Sequence, residues 1–223
     1  MKVVVHSTPD ATAEAVAQRI AGGIAASKGG FTLGLSGGST PIPTYRRLRA
    51  LIRDDVEFWV SDERWVPHHH DRSNAKMADE ILIGQVGANL HRPPWADDLD
   101  PVEAARQYED VIRSLHADRQ PDLIHLGLGV DGHTASLFPG TDALDETERW
   151  VVANPVPSIG ETRITATYPL LWAARLILIQ VVGANKAEAV AASLAGETPA
   201  GRLGEGEAEV EWHIDEAAAA SIS

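Results

Sequence analysis

The run Leu176-Ile177-Leu178-Ile179-Gln180-Val181-Val182 is aliphatic or β-branched at every position but one. A strand that alternates apolar and polar residues covers a core on one face only. A strand without that alternation has to be buried on both faces. Shorter runs of the same kind recur at 3–5, 31–35, 56–60 and 122–128. Ala-rich segments of helical period separate them, among them 11–27, where Val16, Ile20 and Ile24 fall at i, i+4 and i+8. Strands and helices in this alternation predict an α/β protein with a mostly parallel sheet and helices on both faces. Further helices are expected at 42–52, with Thr40 as N-cap and Pro41 in the first turn. Others are expected from 73 onward, at 102–116, at 185–195 and in the Ala-rich C-terminus. Short strands are expected at 150–153, 163–167 and 210–214, and 88–101, with three prolines, reads as loop. No linker or internal repeat interrupts the chain, so one domain over 1–223 is expected.

Lys and Arg number 19 against 32 Asp and Glu, a net charge of −13. Such a chain repels phosphate backbones and anionic lipid, which argues against nucleic-acid and membrane partners. There is no cysteine, and so no disulfide, thiol nucleophile or thiolate metal site. The apolar run at the N-terminus is too short for a signal peptide, and no stretch approaches the roughly 18 apolar residues of a membrane span. A cytoplasmic protein is expected. An Ala-rich surface suits a monomer or a homodimer equally.

Ligands of parallel α/β sheets bind outside the carboxyl ends of the strands, so the residues after each strand carry the functional argument. After 31–35 comes Ser36-Gly37-Gly38-Ser39-Thr40-Pro41. Its glycines admit close backbone approach, and successive N–H groups at a helix start suit an anion. The alternative is a tight turn that binds nothing. After 56–60 comes Asp62-Glu63-Arg64, either a solvated charge cluster or an anion-binding Arg beside a carboxylate. After 122–128 comes Gly129-Val130-Asp131-Gly132-His133. The spacing Gly127-x-Gly129-x-x-Gly132 matches a dinucleotide fingerprint, but Pro139-Gly140 stops the helix that fingerprint needs after about two turns. Asp131 and His133 at a strand end suit acid–base work. Arg163 and Lys186 each read alone as surface charges; converging on the first loop, they would complete a phosphate clamp. The tract His68-His69-His70 reads as a loop near the site mouth and not as a metal site, because neighbouring residues cannot easily all face one ion.

Together these segments resemble the 6-phosphogluconolactonases of the glucosamine-6-phosphate isomerase/6-phosphogluconolactonase superfamily. The resemblance rests on Leu35-Ser36-Gly37-Gly38-Ser39-Thr40-Pro41 and on Ser61-Asp62-Glu63-Arg64-Trp65-Val66-Pro67 with Ser73-Asn74. It continues in Asp131-Gly132-His133-Thr134-Ala135-Ser136-Leu137-Phe138-Pro139-Gly140, Arg163-Ile164-Thr165 and Gly183-Ala184-Asn185-Lys186. It implies a Rossmann-like doubly wound fold, no required cofactor, and hydrolysis of 6-phospho-D-glucono-1,5-lactone in the oxidative pentose phosphate pathway. It also implies that His133 activates water, that Asp131 orients it, and that Gly37, Gly38, Ser39 and Thr40 cradle phosphate with Arg64, Lys186 and Arg163. Asp62 would lie near the sugar hydroxyls or the base.

The residue types suit that reaction. A lactone is an activated ester, so water deprotonated by an imidazole suffices without a covalent nucleophile. The isomerase/deaminase branch carries a Glu after the shared Asp-Gly-His turn, where this chain has Phe138, which cannot shuttle a proton. Ala166 and Trp172 depart from the lactonase pattern, and Trp172 stands in place of an Asn that could shape the substrate pocket. A sugar-phosphate sensor and a dinucleotide oxidoreductase are the other readings. The substrate is itself an anion, so the reading demands a local positive cleft in an acidic chain.

Overall fold

The structure, a computed structural model, describes residues 1–222. Its strands are β1 (Lys2–His6), β2 (Phe31–Leu35), β3 (Val56–Val60), β4 (Asp62–Arg64), β5 (Leu90–His91), β6 (Leu123–Leu126), β7 (Val151–Val156), β8 (Glu161–Ala166), β9 (Leu176–Val181) and β10 (Glu209–Asp215). Seven form one sheet in the order β1-β10-β9-β6-β2-β3-β5, with every neighbouring pair parallel. The missing polar alternation follows from packing. Leu176 and Leu178 join the core on one face with Ile20, Ile24 and Phe58. Ile177, Ile179 and Val181 join the core on the other with Tyr108, Ile112 and Trp212. Each such side chain contributes about 1.5–3 kcal/mol by leaving water.

The helices are α1 (Pro9–Ala26), α2 (Ile42–Leu48), α3 (Asn74–Ala78), α4 (Gly84–Val86), α5 (Pro101–Leu115), α6 (Tyr168–Trp172) and α7 (Ala187–Leu194). Thr8 caps α1, accepting from the Ala11 amide, so that helix starts two residues before the periodic segment. Thr40 does not cap α2. Pro41, in helical conformation, holds the cap position without a side-chain bond, and the helix ends at Leu48, short of residue 52. The segment 88–101 contributes the edge strand β5, paired to β3, within its loop. The Ala-rich end is turns and not a helix. Asp215 Oδ1 accepts from the Ala218 and Gly183 amides, and so short a segment lacks the length to sustain a helical nucleus.

Three strands leave the parallel sheet. β4, β8 and β7 form a small antiparallel sheet of their own, so Asp62-Glu63-Arg64 is a strand and not a loop. It follows β3 after one residue, Ser61, whose N–H and hydroxyl both donate to Leu35 O. Strand order reverses between β2 and β6: the chain runs outward from β2 through β3 to β5, and in the other direction from β6 through β9 to β10. The loops after β2 and β6 therefore diverge and leave a crevice between them.

Buried histidines give this fold an acid limit. Burial pushes His125 down to about 4, and it lowers His6, His116 and His213 from the ordinary 6.5. Below pH 6.5 the unfolded chain takes up protons that the folded chain refuses, so stability falls with pH. The urea midpoint is expected to drop steadily from pH 6.5 to 5, His125 alone contributing up to roughly 3 kcal/mol by pH 4. A midpoint that is level or rising over that range would contradict this.

Candidate active site

At the crevice lies a cleft of about 470 Å³, large enough for a phosphorylated six-carbon sugar. Gly37, Gly38, Ser39, Thr40, Asp62, Arg64, His133, Arg163 and Lys186 all line it. Three cations face one carboxylate there, so the chain of net charge −13 carries a positive cleft at its strand ends.

The loop after β2 forms one end. Among the described residues, the amides of Gly37, Gly38, Ser39 and Thr40 have no protein acceptor, while Tyr45 Oη pins the base of the loop by accepting from Ser36 N and donating to Ser36 O. Gly37 is fixed by a neighbour. A Cβ there would stand 1.8 Å from Asn74 Oδ1, and Asn74 is itself held by donating to Asp62 O.

Strand alternation sorts the residues of β4. Glu63 turns away from the cleft and accepts from Arg64 N, Ser73 Oγ, Asn74 N and Ala75 N, anchoring the start of α3. Asp62 and Arg64 face the cleft. Arg64 lies directly opposite Arg163 on β8, and Asp62 opposite Thr165. Like charges opposite each other destabilise a sheet, so two adjoining guanidiniums mark a place for an anion. Burial lowers the Arg163 guanidinium, and Arg64 beside it lowers it further. Glu161 pairs with Arg163 at 2.7 Å. Asp62 Oδ2 accepts from Ser136 Oγ at 2.6 Å.

The turn after β6 forms the other end. His133 Nδ1 meets Asp131 Oδ1 at 2.5 Å, which assigns the proton to Nδ1 and leaves Nε2 as the free nitrogen of a cleft-lining ring. Phe138 stacks on that ring with centroids 4.0 Å apart. Gly129 makes the arrangement possible, since a Cβ there would lie 2.1 Å from His133 Nδ1. Burial pushes the Asp131 carboxyl up, but the His133 charge and hydrogen bond outweigh it and hold the group below its ordinary value. Lys186 Nζ donates to Leu128 O at 2.8 Å, which tethers it at the His133 end of the cleft. Burial lowers its ammonium, and Asp131 partly restores it.

Half of the buried side-chain polar atoms without a partner collect here: Ser36 Oγ, Arg64 Nε, Asn74 Oδ1, His125 Nε2 and Arg163 Nε, five of ten among the described residues. Unpaired buried groups are costly, and their concentration in one cleft is the mark of a ligand site. His125 and Gln180 line its floor without any sequence motif naming them. The signal was present in each as a polar residue inside an apolar strand run. Ile159, at the tip of the β7–β8 hairpin, also lines it and carried no signal. His68-His69-His70 stands outside the lining; His68 Nε2 bonds Pro93 O. Trp172 stacks on Tyr168, donates to Arg202 O and stays out of the cleft, as does Ala166, so neither departure reaches the pocket.

The sequence model of the glucosamine-6-phosphate isomerases/6-phosphogluconolactonase family matches residues 7–212. The chain belongs to this family. It is 37% identical over 212 residues to a 6-phosphogluconolactonase of Synechocystis, covering 88% of this chain and 87% of that one. The solved 6-phosphogluconolactonase of Trypanosoma cruzi is similar to it with a TM-score of 0.90 at 26% identity, covering 100% of this chain and 97% of the other. A monomeric glucosamine-6-phosphate deaminase matches the same fold, with a TM-score of 0.86 at 24% identity over 99% of this chain and 100% of that one. Backbone shape is thus shared across the family's two chemistries, and side chains have to separate them.

Proposed function

We propose that this family member hydrolyses 6-phospho-D-glucono-1,5-lactone to 6-phospho-D-gluconate. The observation that carries the reading is the Asp131–His133 pair, with Nε2 free, in a cleft that also offers four free amides and two facing arginines. Phe138 against the His133 ring supports the lactone over the amino sugar, because a phenyl group cannot move the protons that ring opening and deamination require.

In this reading, His133 Nε2 takes a proton from water as its oxygen attacks C1. The carbonyl becomes a tetrahedral oxyanion, and the imidazolium, held by the ionised Asp131, then gives its proton to the departing ring oxygen. The product acid ionises, so one proton is released per turnover. Lys186, tethered at the His133 end, supplies positive charge for the oxyanion. Asp62, with one oxygen committed to Ser136, accepts from sugar hydroxyls with the other. The loop 37–40, Arg64 and Arg163 hold the phosphate, whose binding positions C1 and does no chemistry. The test is acid release from freshly prepared lactone, expected to run far above the spontaneous rate. A rate equal to the spontaneous one, or ammonia release from glucosamine 6-phosphate, would overturn the reading.

A further inference from the structure

His125 lies under the phosphate-facing loop, fully buried, with Nε2 unpaired on the cleft floor. Its surroundings fix its tautomer. Tyr45 Oη uses its only hydrogen on Ser36 O while accepting from Ser36 N. His125 Nδ1, 3.3 Å from Oη, is therefore the donor in that pair, and Nε2 is left as a bare lone pair. Gln180 completes the floor, accepting from Thr44 Oγ1 at 2.8 Å and reaching Thr40 O at 3.5 Å. Ser36 Oγ, also unpaired, stands at the same place. Of the other groups at this end, the amides of 37–40 and the two guanidiniums are donors, and Asn74 Oδ1 beside Gly37 is a second unpaired acceptor. Donors alone favour a fully ionised phosphate, because a P–OH group would meet no acceptor.

We propose that His125 Nε2 is the acceptor that lets this end of the cleft hold a singly protonated phosphate monoester as well as the dianion. The inference rests on the sugar-phosphate reading above and adds which ionisation state the site accepts. Its physical requirement is a ring that stays neutral while the phosphate dianion takes up one proton near pH 6. Burial satisfies it by holding His125 at about 4. The groups that bear on the ring are Gln180 on β9, Tyr45 on α2, His213 on β10, and Asp62, Arg64, Arg163, His133 and Lys186 around the cleft. They are common to wild type and variants, so their titration cancels in a ratio.

The readout is the ratio of dissociation constants for 6-phosphogluconate at pH 5.0 and pH 7.5, by calorimetry, on the full chain. At pH 5.0 roughly one phosphate monoester in ten is a dianion, given a second pKa near 6. A site limited to the dianion weakens about tenfold between the two pH values, and a site that takes both forms weakens less than about threefold. The wild type is expected to show the small ratio and His125→Leu the large one, with His125→Gln, which keeps an acceptor, returning toward the small one. Equal ratios in wild type and His125→Leu would overturn the inference. Should His125→Leu not fold, the ¹⁵N resonance of His125 Nε2 decides on the wild type. It moves upfield on adding 6-phosphogluconate at pH 5.0 if Nε2 accepts a hydrogen bond, and an unmoved resonance refutes the inference. Failure of the underlying reading looks different: 6-phosphogluconate would not bind at either pH, or Arg64→Ala would bind it as well as the wild type.

Discussion

His133→Ala is expected to lower kcat for the lactone by about 10²–10⁴-fold, the range that a positioned general base supplies. Binding of 6-phosphogluconate is expected to survive, because the amides of loop 37–40 and the Arg64 guanidinium, which hold the phosphate in this reading, make no hydrogen bond to the His133 ring. Only Nε2 of that ring is free to take a proton, since Nδ1 is committed to Asp131. Asp131→Asn keeps the size of the partner but loses the charge that stabilises the imidazolium, and can hold the ring in the wrong tautomer. It should also cost kcat rather than KM. Asp131 is held ionised below the ordinary carboxylate range, so its own protonation does not set the acid limb of the rate profile. Acid release followed by a pH indicator measures both variants, with spontaneous hydrolysis as the floor. Near-normal kcat in His133→Ala would remove that residue from the mechanism.

Arg64→Ala is expected to act on the other parameter, raising KM by about 10- to 100-fold, the worth of a charge-assisted hydrogen bond to a buried anion, with a much smaller change in kcat. Arg64→Lys should recover only part of the loss, because a point charge does not reproduce the planar fork. Arg64 is the cleaner probe of the two arginines. Arg163 is nine-tenths buried, paired with Glu161, and set toward the Phe138 ring with its guanidinium carbon 6.0 Å from the centroid. Removing it would disturb the His133 end through Phe138 as well. A kcat loss in Arg64→Ala as large as that in His133→Ala would mean that the two ends of the cleft are not separate in function.

The parallel sheet was legible because burial on both faces leaves a direct trace in sequence, the absence of polar alternation in β2, β6 and β9. The loops after those strands were legible for the same reason, since strand ends locate them. Of the antiparallel sheet, β7 and β8 were legible as short strands, but β4 left no such trace. β4 is three residues long and charged, and only its pairing with β8, a hundred residues on, makes it a strand. That same pairing sets Arg64 against Arg163, so their convergence is a fact of register that local sequence does not contain. Glu63 shows the limit from the other side. In sequence it is one of three adjacent charges, yet strand alternation turns it into the anchor of α3, while its neighbours enter the site. Lys186 reached the cleft as the motif implied but stands tethered to Leu128 O, toward the base. The terminal helix failed because alanine content alone does not outweigh the turn that Asp215 imposes.

In the proposed mechanism one part of the cleft holds the phosphate and another moves the proton. A crystal structure with 6-phosphogluconate bound tests it most directly. The phosphate is expected among the amides of Gly37, Gly38, Ser39 and Thr40 and the Arg64 guanidinium, with the C1 carboxylate within hydrogen-bond reach of His133 Nε2. A phosphate seated against His133, or a C1 carboxylate turned toward Arg64, would contradict it.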